Sequence, residues 1–324
     1  MLDEDQQTAF DLAKDGHNLV VIVQGGCWKT FLIKQIVNDL RSKGKTVTIA
    51  CSTGIASTHY GKLGGTTLHK WFGIGDDRYL NEEIVHLIKT NERFNDVKDN
   101  VQSTNTLIID EISMISSKVL GQVQFICQKV RSSSVLFGNL QVILAGDFVQ
   151  LPPVANELVG DRGLHCFNVP WFNRCFPHKI KLSFIHRKSD TTLIKCINAL
   201  EKGNVSDEDV AFINSLSRSL ENEENCVHLF SRNIDVDIQN YTKIQTVAGE
   251  LKIYKSVDEG SNDYLDKFLA PKNLGLKVGC FTKNIYFNHS PVTIYKITGK
   301  ISHNNIVMPR NPSQKFPSTP YGTH

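Results

Sequence analysis

Two hydrophobic rhythms take turns along the first 150 residues. Leu19–Val23 is a short, unbroken apolar run, the pattern of a strand covered on both faces. From Phe31-Leu32-Ile33 through Ile36-Val37 to Leu40, apolar positions recur at helical spacing. This predicts an amphipathic helix over about Lys29–Ser42, stopped by Gly44. Thr46–Ala50, rich in β-branched residues, reads as the next strand. Leu107-Ile108-Ile109 is a buried strand ending in Asp110-Glu111, and helical spacing resumes from about Ser116 to Arg131. Gln141–Ala145 is a further strand, ending at Gly146-Asp147. Strands alternating with helices predict an α/β fold, a mostly parallel sheet with helices on both faces. Ligands bind such sheets beyond the carboxyl ends of the strands, and each polar signal above lies at such an end. Residues 190–220 read as two helical segments parted at Gly203-Asn204, and Cys226–Phe230 reads as the start of a second sheet. From about Ser302 the pattern dissolves into a loose tail in which Asn, Pro and Ser dominate.

Composition narrows the class. The 324 residues, 40% apolar, suffice for one large domain or two ordinary ones. A net charge of +3 neither demands nor opposes a nucleic-acid partner. No apolar run approaches the ~20 residues of a membrane span, and the acidic start, Met1–Asp5, is unlike a signal or transit peptide. The eight cysteines are scattered without a CxxC, as expected of reduced thiols in an intracellular protein. His165-Cys166 with Cys175 matches no common zinc spacing.

The chemistry starts at Val23-Gln24-Gly25-Gly26-Cys27-Trp28-Lys29-Thr30, between the first strand and its helix. This is close to the phosphate-binding pattern GxxxxGK[ST], with Val23 and Trp28 in place of the two outer glycines. Gly25 and Gly26 remain to close backbone N–H groups around phosphate. Lys29 would reach the β- and γ-phosphates, and Thr30 would hold Mg²⁺. Trp28 is the costly change. A non-glycine residue in a left-handed conformation costs roughly 1–2 kcal/mol, and each lost charge-assisted hydrogen bond about 1.5–3 kcal/mol. Two or three such losses weaken nucleotide binding by at least about two decades, at about 1.4 kcal/mol each. Asp110-Glu111 supplies a strand-end carboxylate of the kind that holds Mg²⁺ and a neighbour able to activate water. In Gly146-Asp147-Phe148-Val149-Gln150-Leu151-Pro152-Pro153, a stiff Leu-Pro-Pro segment holds Gln150 where a terminal phosphate would be sensed. A strand cap or a rigid turn would account for either of the last two segments alone; the lysine-threonine helix start some eighty residues upstream favours the chemical reading.

Taken together, these segments resemble the Pif-type (petite integration frequency) DNA helicases of superfamily one. Leu2–Gln6 is similar to their adenine-reading glutamine motif, Cys51–Ala56 to motif Ia and Gly64–Gly75 to the segment that follows it. Asp110–Met114 resembles motif II, Gly146–Pro153 motif III, and His186–Asp190 the stretch carrying a phosphate-contacting arginine. The resemblance runs from about residue 2 to 285 and takes in Leu276–Gly279 and Lys283-Asn284. It implies a RecA-like P-loop NTPase domain and ATP-driven 5′→3′ unwinding of DNA, in repair, recombination and telomere maintenance, in the nucleus or mitochondrion of a eukaryote. By the same resemblance Gln6 would read adenine, Asp110 and Thr30 would hold Mg²⁺ and Glu111 would activate water. Gln150 and Arg187 would touch the γ-phosphate. Thr53, Thr66, Thr67 and His69 would line the path of a single DNA strand. Trp71 and Phe72 would stack on bases or, more in keeping with their type, pack in the core.

Departures qualify the resemblance. Gly121 and Gln128 stand where an acidic residue and an arginine are expected after motif II, and no His-Lys-Ser-Gln-Gly or Ala-Leu-Ser-Arg segment occurs. The expected organisation is a RecA-like ATPase domain over residues 1–180, a partial second helicase domain over 181–302 and an irregular tail over 303–324. Two readings stay open: a partial or degenerate ATP-dependent DNA helicase, or a catalytically inactive, helicase-derived DNA-binding or interaction module. A small nucleotide kinase sharing only the phosphate loop is opposed by Gly64–Gly75 and Gly146–Pro153.

Overall fold

The computed structural model describes residues 2–23, 28–75, 79–183, 191–219, 228–255 and 272–278. By packing, the chain divides into two units, Met1–Ser217 and Arg218–His324.

The first unit runs α1 (Glu4–Lys14), β1 (Leu19–Val23), α2 (Lys29–Ser42), β2 (Val47–Cys51), α3 (Gly54–Thr58), β3 (Gly65–Thr67), α4 (Leu68–Phe72), α5 (Asn81–Thr90) and α6 (Asn95–Ser103). It continues with β4 (Thr106–Asp110), α7 (Ser117–Val130), β5 (Gln141–Gly146), α8 (Phe172–Cys175), β6 (His178–Leu182), α9 (Thr191–Lys202) and α10 (Asp207–Ser215). Six strands form one sheet in the order β3-β2-β4-β5-β1-β6, and every neighbouring pair is parallel. The alternating strand-helix pattern predicted this arrangement.

Side-chain alternation along each strand builds a core on either face. Val20, Leu107, Ile109, Val142 and Leu144 join residues of α4 to α8 on one face. Leu19, Val21, Ile108, Ile143 and Ala145 join α1 and the buried stripe of α2, Leu32, Ile33, Ile36, Val37 and Leu40, on the other. Every residue of the central strands β4 and β5 is buried, which is why they read as unbroken apolar runs. The one amide among them, Gln141, is satisfied. Its Nε2 donates to Ala13 O at 2.7 Å and His17 O at 3.0 Å, and its Oε1 accepts from Thr106 at 2.8 Å. Trp71 and Phe72 are buried in the first core, so packing, not base stacking, is their role.

All six strands present their carboxyl ends at one edge. Asp5 at the start of α1 reaches the same edge, accepting from Ser183 N, just past β6, at 2.9 Å. The amino end of α1 therefore sits beside the ends of the strands.

In the second unit, α11 (Asn233–Thr246) precedes β7 (Lys252–Lys255) and β8 (Asn273–Leu276), which pair antiparallel. Lys277 Nζ donates to Val247 O, past the end of α11, at 2.9 Å. The strand expected over Cys226–Phe230 is corrected. His228–Phe230 is irregular and Leu229 is 92% exposed; an apolar run forms a strand only where a sheet edge receives it. Cys226 and Val227 lie outside the described residues, as does the tail from residue 303. The division by packing leaves α9 and α10 with the first unit, beyond the functional boundary drawn from sequence at residue 180.

Candidate nucleotide site

The site is built from the end of β4. Asp110 is its last residue, in register with Cys51 on β2 and Ala145 on β5. There the chain turns sharply. Glu111 takes a left-handed conformation, φ 56° and ψ 47°, ahead of the short 3-10 turn Ile112–Met114. Such a conformation costs a non-glycine residue roughly 1–2 kcal/mol and persists only where the surroundings enforce it. Gly146 at the end of β5 makes room for the turn: a Cβ there would lie 2.9 Å from Ile112 N.

Lys29, the first residue of α2, points its ammonium at both carboxylates. Nζ lies 2.8 Å from Asp110 Oδ1 and 2.5 Å from Glu111 Oε1. Burial lowers the affinity of this amine for its proton, but the two carboxylates outweigh burial and hold its pKa above the ordinary lysine value. Asp110 takes three donors. Its Oδ1 also accepts from the Glu111 amide at 2.8 Å, and its Oδ2 accepts from the Tyr60 hydroxyl at 2.6 Å. Burial, then the charge of Asp110, drives the Tyr60 pKa far upward, so the phenol remains a donor. Burial followed by the same charge pushes the neighbouring Cys51 thiol up to about 12; Cys51 is a neutral wall.

Both altered glycine positions can be placed. Val23 is the last residue of β1, buried and in register with Leu182. The strand thus runs through the first glycine position, and valine there serves the core. Trp28 precedes α2 with φ 51° and ψ 38°, also left-handed. Its indole is 48% exposed and meets Phe31 edge-on at 5.7 Å. The expectations for Gly25, Gly26 and Arg187 lie outside the described residues.

Gln6 is buried in the first turn of α1, where its Oε1 accepts from Asp3 N at 3.2 Å and Asp3 caps Gln6 N at 2.8 Å. Thr53, just past β2, caps α3 through Ala56 N at 3.2 Å. Thr66 pairs with Ala50, and Thr67 caps α4 through Lys70 N at 3.3 Å. His69 lies in the first turn of α4. Gln150 is exposed and donates to Asp147 Oδ2 at 3.2 Å. The structure therefore gathers Lys29, Asp110 and Glu111 in direct contact and sets the threonines at the ends of adjoining strands.

Two residues not singled out from sequence belong to the site: Tyr60 lies outside every motif segment, and Ser52 lies inside Cys51–Ala56 without a role of its own. The Ser52 amide donates to Asp110 O at 3.2 Å, and its buried hydroxyl finds no partner among the described residues. Sequence spacing alone flags neither. Carboxylate and hydroxyl oxygens such as those of Asp110 and Thr30 are the donor types that suit Mg²⁺, and the buried Ser52 hydroxyl is a polar group left over at the same strand end. No group of three or more His, Cys, Asp or Glu side chains that could hold a metal occurs among the described residues. Cys166 and Cys175 are buried core residues.

A family model described as PIF1-like helicase matches residues 1–209. The chain belongs to the PIF1-like helicase family. It is 31% identical over 265 residues to the ATP-dependent DNA helicase RRM3 of Saccharomyces cerevisiae, covering 81% of this chain and 36% of that protein. It is 32% identical over 296 residues to the ATP-dependent DNA helicase PIF1 of Candida albicans, covering 86% of this chain and 32% of the relative. The chain thus spans about a third of the length of these PIF1-like relatives. Among solved structures, the Candida albicans Pif1 helicase superposes with a TM-score of 0.81 at 30% identity, over 94% of this chain and 70% of that one. Bacteroides Pif1 bound to single-stranded DNA superposes with a TM-score of 0.70 at 27% identity, over 88% and 65%. These neighbours make the sheet of this PIF1-like chain a RecA-like one.

Proposed function

We propose that this chain carries the ATP site and part of the DNA track of an ATP-dependent DNA helicase that moves 5′→3′, as a partial or degenerate member of its family. One observation carries the reading: Lys29, at the start of the helix after β1, is bound to both carboxylates at the end of β4. In that arrangement a nucleotide's phosphate oxygens compete with Asp110 and Glu111 for the ammonium. Once Lys29 turns to phosphate, Glu111 is released to take a proton from an attacking water. Asp110 and Thr30 are the oxygen donors that would hold Mg²⁺, which when bound neutralises charge on the phosphates. Gln6 serves adenine, Gly25 and Gly26 the phosphate cradle, and Gln150 and Arg187 the γ-phosphate. Thr53, Thr66, Thr67 and His69 face a single DNA strand, where hydroxyls and an imidazole suit phosphate contact. Relatives solved with ADP-AlF4 and with single-stranded DNA support both ligands. Repair, recombination and telomere maintenance, in nucleus or mitochondrion, are the corresponding settings.

The exposed, left-handed Trp28 favours a second reading, a catalytically inactive module that keeps contact with DNA or protein. Calorimetric titration of the purified chain with Mg²⁺ and a non-hydrolysable ATP analogue separates the two. Micromolar binding is expected of the helicase reading; no binding at millimolar nucleotide sinks it and leaves the inactive module.

A further inference from the structure

Tyr60 stands out as a polar side chain buried at the site without a motif to explain it. It is 2% exposed and packs in the core shared by α1, α2 and β2. A buried phenol takes a hydrogen-bond partner, and here the partner is the Asp110 carboxylate rather than a backbone carbonyl. The division of labour at Asp110 is strict: Lys29 and the Glu111 amide bind Oδ1, and Tyr60 binds Oδ2. The segment that carries Tyr60 is firmly seated. It leads from α3 into the 3-10 turn Gly61–Leu63, and Gly65 just beyond packs so closely that a Cβ would lie 2.4 Å from Ser57 O.

We propose that Tyr60 is a positioning residue for Asp110: by donating to Oδ2 it fixes the plane of the carboxylate, so that Oδ1 is presented to Lys29 and to the metal of a bound nucleotide. This rests on the ATP-site reading above. Phenylalanine fills the same space, so the role resides in the hydroxyl. Without it, Oδ2 is a buried charged oxygen short of a donor, and the carboxylate is held through Oδ1 alone. Removing an outer partner of a metal-binding group typically costs roughly 10–100-fold in metal affinity.

The test is a calorimetric titration of the full chain with ADP, once with Mg²⁺ and once with EDTA, for wild type and Tyr60→Phe. The wild type is expected to bind ADP more tightly with Mg²⁺. In Tyr60→Phe that metal-dependent gain falls about tenfold or more, while ADP affinity in EDTA stays the same. A purely structural role does not move the ratio in this way. An equal gain in both proteins, or no gain in wild type that nonetheless binds ADP, overturns the role of Tyr60 and leaves the nucleotide site standing. Failure of the wild type to bind ADP in either condition overturns both. Should Tyr60→Phe fail to fold, Tyr60→3-fluorotyrosine keeps ring and hydroxyl. Its fluorine resonance is expected to shift when Mg²⁺ joins the ADP complex, and an unmoved resonance rejects the proposal.

Discussion

The two walls of the proposed nucleotide site differ in how they hold their strain. Each contains a non-glycine residue in the left-handed conformation, Glu111 on one side and Trp28 on the other. On the carboxylate wall the strain is enclosed. Glu111 is pinned by Lys29, its amide binds Asp110, and Gly146 yields the space behind it. On the phosphate wall, Trp28 holds its indole half in solvent, with an edge contact to Phe31. Strain of this kind is productive where the surroundings aim a functional group with it. Glu111 meets that standard, since its turn delivers a carboxylate to the site. Trp28 delivers a bulky apolar ring to the entrance of a helix where backbone N–H groups are needed.

Breaking the carboxylate wall is expected to have the largest effect. Glu111→Gln removes the proton acceptor but keeps the side chain's shape. DNA-stimulated ATP hydrolysis should fall by about 10²- to 10⁴-fold while Mg²⁺-ADP binding persists, as steady-state phosphate release and calorimetry would report. A hydrolysis rate equal to wild type would strip Glu111 of its role.

Gly146→Ala tests the same wall through the backbone. The added Cβ would sit 2.9 Å from Ile112 N and 3.0 Å from its Cγ2, with rigid strand on one side and the Glu111 turn on the other. Overpacking of this kind costs about 1–3 kcal/mol, to be read as a lower urea midpoint with unchanged slope. An unaltered midpoint would mean that the turn yields freely and that the carboxylate wall is no stiffer than its counterpart.

Trp28→Gly sharpens the contrast from the other side. Glycine adopts the left-handed conformation at no steric cost, so roughly 1–2 kcal/mol of strain is relieved. Because Trp28 is already left-handed in the chain itself, that relief is expected to raise the urea midpoint, and affinity for Mg²⁺-ADP should rise only as far as the indole obstructs phosphate. Unchanged affinity in calorimetry would show that Trp28 does not obstruct phosphate.

The contrast also explains what the sequence could disclose. The carboxylate wall was legible because a buried strand ending in two acids leaves a local signature, and the same holds for β1, α2 and β5. Tyr60 and Ser52 were not legible. Their importance comes from the β2-β4 pairing, which brings residues some fifty positions apart to Asp110, Ser52 to its backbone carbonyl and Tyr60 to its carboxylate, and no local pattern records that. The strand expected to run on through His228–Phe230 failed there for the converse reason: an apolar run does not reveal whether a sheet edge awaits it. Edge strands such as β6, with exposed Lys179 and Lys181, lack the unbroken apolar run that marks β4 and β5.

The smallest expected effect bears on where the carboxylate wall meets the DNA track. Thr67 has a structural duty, capping α4 through Lys70 N, and a proposed one, facing a DNA phosphate. Alanine would confuse the two, because losing the cap costs about 1 kcal/mol by itself. Aspartate separates them. It caps a helix as well as threonine does and places a negative charge beside any phosphate. Thr67→Asp should therefore keep the melting temperature of wild type and weaken binding of a fluorescent oligothymidylate, with the deficit shrinking as salt screens the repulsion. Equal DNA affinity at low salt would make Thr67 a cap alone and move the strand path away from the end of β3.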